Sequence, residues 1–440
     1  MLNSNDLSYA GQVDIQQLKL VSTAGLVVDL DDYLIELNIY EDIFSNFLHG
    51  DIMLNDSRNL ISKMMIIGEE FLIMKIGTPT LGAYFEKYFR VYAINDQKTS
   101  RDTNTQIYTL QFCSMEAILD ANVPIYRAFK GKVSDVVTQI YEEYLKIPRT
   151  VKFEQNNIIP DENSFSTLFM SETSNNVKFI SPGWSPAKCI NWLSSKSLPA
   201  EGKACDFLFW ETTAGFVFSN IENLYTETYK NGKISGEYYY IPVGTRDSEN
   251  VIEKVFLAEN FEVINFMDHL KNYTNGFLGT RLITVNLFNK EFSITDYDYP
   301  SEYSKFMHSE GKNALPPFPL STVRSPAANT KFYPINQKLF NGVAGNVNER
   351  IRDIYGNRVS KLNELNNIKI NITIPGRSDM TTGTLIKFNY PDITVKNISA
   401  ESGTDTLYSG LYLISAIRHK INFRTHMMTV ELIKDSISKK

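Results

Sequence analysis

Two stretches of this 440-residue chain read as the same pair of β-strands, one closing the first quarter of the sequence and the other closing the last. The first runs through Phe89, Arg90, Val91, Tyr92, Ala93 and Ile94, crosses a polar loop and returns through Ile107, Tyr108, Thr109, Leu110, Gln111 and Phe112. The second runs from Leu411 through Tyr412, Leu413, Ile414, Ser415, Ala416 and Ile417, turns through a basic loop and returns through Met427, Met428, Thr429, Val430, Glu431 and Leu432. Ala93-Ile94 aligns with Ala416-Ile417, and Thr109-Leu110-Gln111-Phe112 with Thr429-Val430-Glu431-Leu432, with loops that differ by three residues. A chain that carries one β-unit twice can present more copies of a surface than it has subunits, and so imitate a higher symmetry than its own.

The segments upstream of the two hairpins repeat as well. In the first quarter Ile35, Leu37 and Ile39, then Ile52 and Leu54, precede a glycine-led strand from Gly68 to Ile76. In the last quarter Ile368, Ile370, Ile372 and Ile374 alternate with Lys369, Asn371 and Thr373, and a glycine-led strand from Gly383 to Tyr390 follows. The shared order of alternating strand, glycine-led strand and hairpin is harder to obtain by chance than any one hairpin.

Length allows about two to four domains, and 43% apolar with 21% charged residues is the composition of a folded chain. The 24 tyrosines and 27 phenylalanines suit pleated sheets and large contact surfaces. A net charge of −6 argues against a protein whose main task is to hold nucleic acid by its phosphates. Cys113, Cys189 and Cys205 are widely spaced and include no CxxC pair, so neither a disulfide framework nor a zinc site is indicated, and a reducing compartment is expected. The N-terminus has no basic start or apolar run, and the densest apolar stretch, Met64 to Ile67, is stopped by Gly68, Glu69 and Glu70; neither a signal peptide nor membrane insertion is expected.

Period-two patterning from about Gly11 to Ser114 defines a first β domain, taken as 1–120. From Lys132, the residues Val133, Val136, Val137, Ile140, Tyr141, Tyr144 and Leu145 recur at helical spacing until Pro148. A second helix has Ser185 as N-cap and Pro186 in its first turn. These helices place a mixed α/β domain at 121–205. A hairpin follows, with Phe207, Phe209, Phe216 and Phe218 flanking the turn at Thr212 to Gly215. Phe261 to Asn275 reads as a helix ending at Gly276, and Leu282 to Leu287 as a strand. The second β domain is therefore discontinuous, 206–299 and 366–440. The stretch from Pro300 to Gln337, rich in proline, serine and asparagine, reads as an extended arm, and a short helix is expected around Asn346 to Leu365, giving an insertion at 300–365. The fold class is mainly β with α+β insertions.

The residues that could carry chemistry are few. Asp296 and Asp298 stand two apart in a strand-like run, roughly 7 Å from each other, but paired glycosidase acids come from different elements around a cleft. Asp29, Asp31 and Asp32 resemble the start of a calcium loop, yet Leu34 stands where the loop requires glycine and no twelfth-position glutamate follows. None of the five histidines has the spacing of a helix-borne metal pair; His419 and His426 flank the last turn and could approach across it. No GxSxG, Walker loop or GxGxxG occurs. The basic residues Arg418, Lys420 and Arg424, echoed by Lys98 and Arg101, mark hairpin tips or a contact to acidic surfaces or passing DNA. Tyr238, Tyr239 and Tyr240 read as packing residues. No catalytic, metal or cofactor site is expected, and the chain is not expected to be an enzyme.

Three segments resemble a known family, the hub subunit of the baseplate in T-even-like contractile-tailed bacteriophages: GDIMLNDSRNLISKMMIIGEEFLIMKI from Gly50, SPAKCINWLSSKS from Ser185 with DFLFWETTAGFVFSNIENL from Asp206, and the ending GLYLISAIRHKINFRTHMMTVELIKDS. No specific match is visible from about Pro300 to Gly356. The resemblance implies two similar tube-type antiparallel β-barrel domains per chain and a homotrimer, whose six barrels adapt a hexameric tail tube to a trimeric central spike, with or without a lysozyme domain; related hubs occur in type VI secretion spikes. It implies tail tube or tube-initiator proteins and the tape-measure protein as further partners, and DNA only in passage through the lumen during ejection. The implied location is the virion tail baseplate, assembled in the bacterial host cytoplasm. In that scheme the hairpin residues Val91, Tyr92, Ala93, Ile94, Thr109, Leu110 and Phe112, with Ile414, Ser415, Ala416, Ile417, Thr429, Val430 and Leu432, are structural, and 121–205 and 300–360 face the spike. The competing expectation is a cell-wall-degrading or carbohydrate-binding tail protein, which would need convergent acids or a platform built from Trp184, Trp192 and Trp210.

Overall fold

A computed structural model describes residues 7–79, 81, 84–100, 105–154, 157–161, 163–241, 254–287, 290–318, 325–335, 350–392 and 404–438. Its first unit contains β1 (Asp14–Val21), β2 (Val27–Asp29), β3 (Leu34–Asp42), β4 (His49–Asp56), β5 (Phe71–Gly77), β6 (Tyr84–Ser100) and β7 (Thr105–Ser114), in spatial order β3-β4-β7-β6-β5-β1-β2. All of these pairings are antiparallel. Strand alternation delivers the core: in β4, Ile52 and Leu54 are buried while Met53 and Asn55 face away. Leu18, Leu37, Ile52, Met74, Phe89 and Tyr108 share one apolar cluster, so the sheet curls round a single interior as a barrel does.

The middle of the chain supplies β8 (Ala128–Lys132), β9 (Val151–Glu154), β10 (Asn157–Pro160), β11 (Thr167–Met170), β12 (Asn176–Ile180), β13 (Leu208–Thr212) and β14 (Gly215–Ser219) in small separate sheets. The helix Val133–Ile140 continues as a wider turn through Leu145, and the helix Pro186–Ser194 begins at Ser185, whose hydroxyl accepts the Lys188 N–H. Their apolar faces pack with Phe207, Phe209, Phe216 and Phe218 of the β13–β14 hairpin. The sequence places that hairpin in the second β domain; its four phenylalanines pack with the helical core, while Leu208, Trp210 and Val217 of the same hairpin pack with Leu385, Leu413 and Ile433 of the second unit.

The second unit comprises β15 (Glu237–Tyr240), β16 (Leu257–Ala258), β17 (Asn260–Phe266) and, after an insertion, β21 (Ile368–Pro375), β22 (Leu385–Asn389), β23 (Gly410–Ile421) and β24 (His426–Lys434), in order β17-β21-β24-β23-β22-β15-β16. Strand for strand this repeats the order of the first unit. The two differ in β15, which lies parallel to β22 where β1 is antiparallel to β5. Tyr238, Ile370, Phe388, Ile414 and Val430 fill the second interior. The molecule is thus mainly β, two similar β-barrel units with mixed helical and stranded insertions.

Three local expectations need correction. Phe261 to Asn275 is not one helix: Asn260–Phe266 is β17, paired antiparallel with β21, and only His269–Thr274 is helical, capped by Asp268 and followed by Gly276 at φ +77°. Pairing with β21 overrides the local helical pattern. Leu282 to Leu287 does not extend the second unit; β18 (Gly279–Asn286) forms a three-stranded sheet with β19 (Glu291–Asp298) and β20 (Thr330–Ile335). The start of the expected arm is packed rather than extended, because Tyr299, Tyr303, Phe306 and Phe318 bury themselves against Phe277. Residues 319–324 and 336–349, within the expected arm and helix start, lie outside the described residues; the helix spans Ile351–Glu364.

Candidate functional site: the seam between the two barrels

The two units are joined edge to edge into one 14-stranded sheet through β3 and β23. Ala416 stands opposite Asp42, Ile417 opposite Glu41, Arg418 opposite Tyr40, His419 opposite Ile39, Lys420 opposite Asn38 and Ile421 opposite Leu37, all antiparallel. β23 serves two neighbours along its length. Gly410 to Leu413 pairs with β22, a bulge falls at Ser415, and the chain then crosses to β3.

The repeated hairpins have the same register. Val91 stands opposite Phe112, Ala93 opposite Gln111 and Ile94 opposite Leu110; Ile414 stands opposite Leu432, Ala416 opposite Glu431 and Ile417 opposite Val430. Each has one extra residue at the same place, Tyr92 in β6 and Ser415 in β23. The Val91 N–H donates to Glu70 O at 2.9 Å, and the equivalent Ile414 N–H donates to Thr384 O at 2.9 Å. Gly68 and Gly383, which lead the adjoining strands, both hold left-handed backbone, φ +90° and +81°. Val91, Leu110, Phe112, Ile414, Ile417, Val430 and Leu432 are buried; Thr109 is buried and Thr429, Ala93, Ile94 and Ala416 half-buried. The extra residues differ: Tyr92 is exposed, whereas Ser415 is buried and its hydroxyl donates to Glu431.

Behind the seam lies a polar centre that no local pattern reveals. Glu41 is 1% exposed and accepts the N–H groups of Thr213 and Thr382, each at 3.1 Å, from the β13–β14 turn and the second unit. One carboxylate therefore ties three parts of the chain. His419 Nε2 lies 3.5 Å from Glu41, and its Nδ1 is 3.1 Å from Nε2 of His426. Burial pushes the Glu41 carboxyl up, but the His419 ring and the Thr382 and Thr213 donors outweigh it, holding the group below its ordinary range. Burial, with His419 adding to it, holds His426 well below the usual histidine range. Beside these groups is a cavity of about 20 Å³ lined by Thr213, Ser378, His419 and His426.

At the outer edge of the seam, Glu36 receives Arg418 at 3.1 Å and Lys420 at 3.0 Å. Two of the three basic residues read as a hairpin tip are thus strand residues engaged across the seam; Arg424 lies at the tip, over the Phe423 ring. Lys98 is exposed near the end of β6, and Arg101 lies outside the described residues. An apolar cluster of Ile43, Trp210, Leu385, Leu413 and Ile433 backs the junction. Glu36, Glu41 and β17 escaped the sequence reading. The apolar, β-branched and aromatic run Phe261, Val263, Ile264 and Phe266 is the available signal for β17, its period of two broken by the bulge after Val263.

The residues weighed for chemistry are used otherwise. Asp296 forms a two-pronged pair with Arg281, both bonds 2.7 Å, on an exposed strand face, and Asp298 accepts the Ser301 hydroxyl. Asp31 opens a short 3-10 turn. Trp210 is fully buried, apart from the Trp184–Trp192 pair, so no three-tryptophan platform forms. Tyr238 is core, and Tyr240 stacks on Tyr390. Among the described residues, one buried group has metal-ligating composition, His308, Glu364 and Asp435. Lys361 already supplies its cation, 2.5 Å from Glu364 and 3.7 Å from Asp435, while His308 and Ser309 N–H bind Asp435. No helix among the described residues is long and apolar enough to cross a membrane.

No family model and no curated protein matches the chain. Solved structures share its fold. A tail protein from Neisseria meningitidis MC58, 9% identical, aligns over 98% of this chain and 97% of its own with a TM-score of 0.52. The 43 kDa tail protein of prophage MuSo2 from Shewanella oneidensis, also 9% identical, aligns over 96% of this chain and 98% of its own with a TM-score of 0.50. The likeness extends along the whole of each chain, and at this identity it is a likeness of fold.

Proposed function

We propose that the chain is a structural, non-enzymatic hub of a phage tail baseplate, built from three copies. The observation that carries this reading is the edge-to-edge seam: one chain presents two units of the same strand order, joined through β3 and β23 as neighbours in a ring would be. Three chains then offer six units in near six-fold array while keeping three-fold symmetry elsewhere. Such a ring meets a hexameric tail tube on one face and a trimeric spike on the other, and leaves a lumen for DNA and the tape-measure protein. The likeness in fold to two tail proteins, one of them from a prophage, supports the setting, and the repeated hairpins support the geometry.

Divergence between the units fits this role. At the places corresponding to Glu36 and Arg418 the other unit has Asn260 and Asn95, and only the lysine is kept, Lys98 for Lys420, as expected if the two junctions of the ring meet different neighbours. The test is mass measurement of the purified chain alone and mixed with its trimeric spike. A trimer, formed unaided or on the spike, supports the proposal; a chain that stays monomeric in both conditions refutes it.

A further inference from the structure

Within the chain, the seam joins the outer edge of β3 to the far half of β23. The strand orders make β17 the equivalent of β3, and β6 the equivalent of β23. Among the described strands, both equivalents have an unpaired edge. β6 pairs with β5 only from Tyr84 to Arg90, and beyond Arg90 it pairs, among the described strands, with β7 alone. β17 pairs with β21, and its other edge has no partner among the described strands, although Val263 and Ile264 are exposed there. An open edge that ends in exposed apolar residues is a template for another strand.

We infer that β17 of one copy pairs antiparallel with the far half of β6 of the next, closing the ring in a register set by the seam inside the chain. This rests on the three-copy hub proposed above. The register follows by substitution. Through their partners in β21 and β4, Asn265 corresponds to Tyr40 and Glu262 to Asn38. Through their partners in β7 and β24, Asn95 corresponds to Arg418 and Lys98 to Lys420. Arg418 faces Tyr40 and Lys420 faces Asn38 inside the chain, so Asn95 faces Asn265 and Lys98 faces Glu262 between copies.

Two independent features fit this register. First, the inner seam has one residue on each strand between those positions, His419 and Ile39, whereas both outer strands have two: Asp96 and Gln97 on β6, Val263 and Ile264 on β17. The register shifts recorded between Asn95 and Lys98, and between Val263 and Asn265, are these extra residues. An insertion on one strand alone would throw the ladder out of step, but one on each strand at facing positions keeps it matched. Second, the register sets an ammonium opposite a carboxylate, Lys98 against Glu262, where the inner seam joins Lys420 to Glu36 instead.

The test is cross-linking of the full-length chain under conditions where it trimerises. Asn95→Cys combined with Asn265→Cys is expected to give a covalent trimer on oxidation, because directly facing positions lie within disulfide reach. Asn95→Cys with Val263→Cys, displaced along the strand, is expected to give far less, and neither single variant should cross-link into trimers. Lys98→Glu and Glu262→Lys should each weaken trimerisation roughly fivefold or more, and the two together should restore it. A trimer that forms without the Asn95–Asn265 cross-link, or that cross-links better in the displaced pair, overturns this register and leaves the hub proposal standing. A chain monomeric even with the spike overturns both.

Discussion

Glu41→Ala is the substitution that most directly probes how the two units are held together. It removes the acceptor of two buried backbone donors, Thr213 N–H and Thr382 N–H, each now at 3.1 Å from the carboxylate. A buried donor left unsatisfied costs about 1–3 kcal/mol, so the pair costs roughly 2–6 kcal/mol. Against this stands the desolvation of a carboxylate that no longer has to be buried, which recovers part of the loss. A net destabilisation of about 3 kcal/mol, or roughly a hundredfold in the equilibrium, is expected. The assay is urea unfolding followed by tryptophan fluorescence in a Trp184→Phe, Trp192→Phe background. Trp210 then reports alone, from a cluster that joins Ile43 of the first unit to Leu385, Leu413 and Ile433 of the second. Glu36→Ala is the control. Glu36 crosses the same seam to Arg418 and Lys420, but its side chain is 26% exposed, and such pairs contribute about 0–1 kcal/mol. If Glu41→Ala shifts the Trp210 transition no further than Glu36→Ala, the buried carboxylate is not what fastens the seam.

Acid should loosen the same junction. Folded His426 is held well below its ordinary 6.5 by burial and His419, and folded Glu41 below its ordinary 4.5, so both bind fewer protons folded than unfolded. Their stabilisation is present in full above those values and is lost as pH falls, first below about 6.5 and then below about 4.5; a His426→Gln variant should lose the upper part of the dependence, and a Trp210 transition flat from pH 7 to 4 would contradict the linkage. Lys87→Met strands Glu116 and Glu211, two carboxylates buried against one ammonium, and should cost about 3–5 kcal/mol in thermal melting, with much of it regained when both glutamates are made glutamine. Unchanged melting would show the cation is dispensable. Asp296→Asn breaks only an exposed pair with Arg281 and should change stability by less than about 1 kcal/mol; a larger loss would give that strand face a role not seen in its packing.

What the sequence revealed was local or repeated. The hairpin alignment at Ala93-Ile94 and Ala416-Ile417 falls on matching registers because period-two burial and a bulge leave the same trace in both copies. The helix at Pro186 was readable because its cap, Ser185, is adjacent in sequence. Hidden features depend on distant partners. β17 is a short run whose strand state comes from β21, more than a hundred residues later. Glu41 looks like any strand-end acid until Thr213, Thr382 and His419 close round it. The tyrosines and phenylalanines near 299–318 lack a period, since they pack as a knot of rings rather than along one face. Basic residues were misleading for a related reason: a strand crossing to a neighbour carries the same lysines and arginines as an exposed tip.

The proposed function stands or falls on three chains making a ring of six like units. End-on electron microscopy of the purified oligomer, alone or on its spike, with its mass measured in the same preparation, tests it most directly. The expected result is a mass of three times the 50.2 kDa chain and six lobes around a central opening. A three-lobed trimer, in which paired units do not lie side by side round the opening, or an oligomer of another copy number, would contradict it.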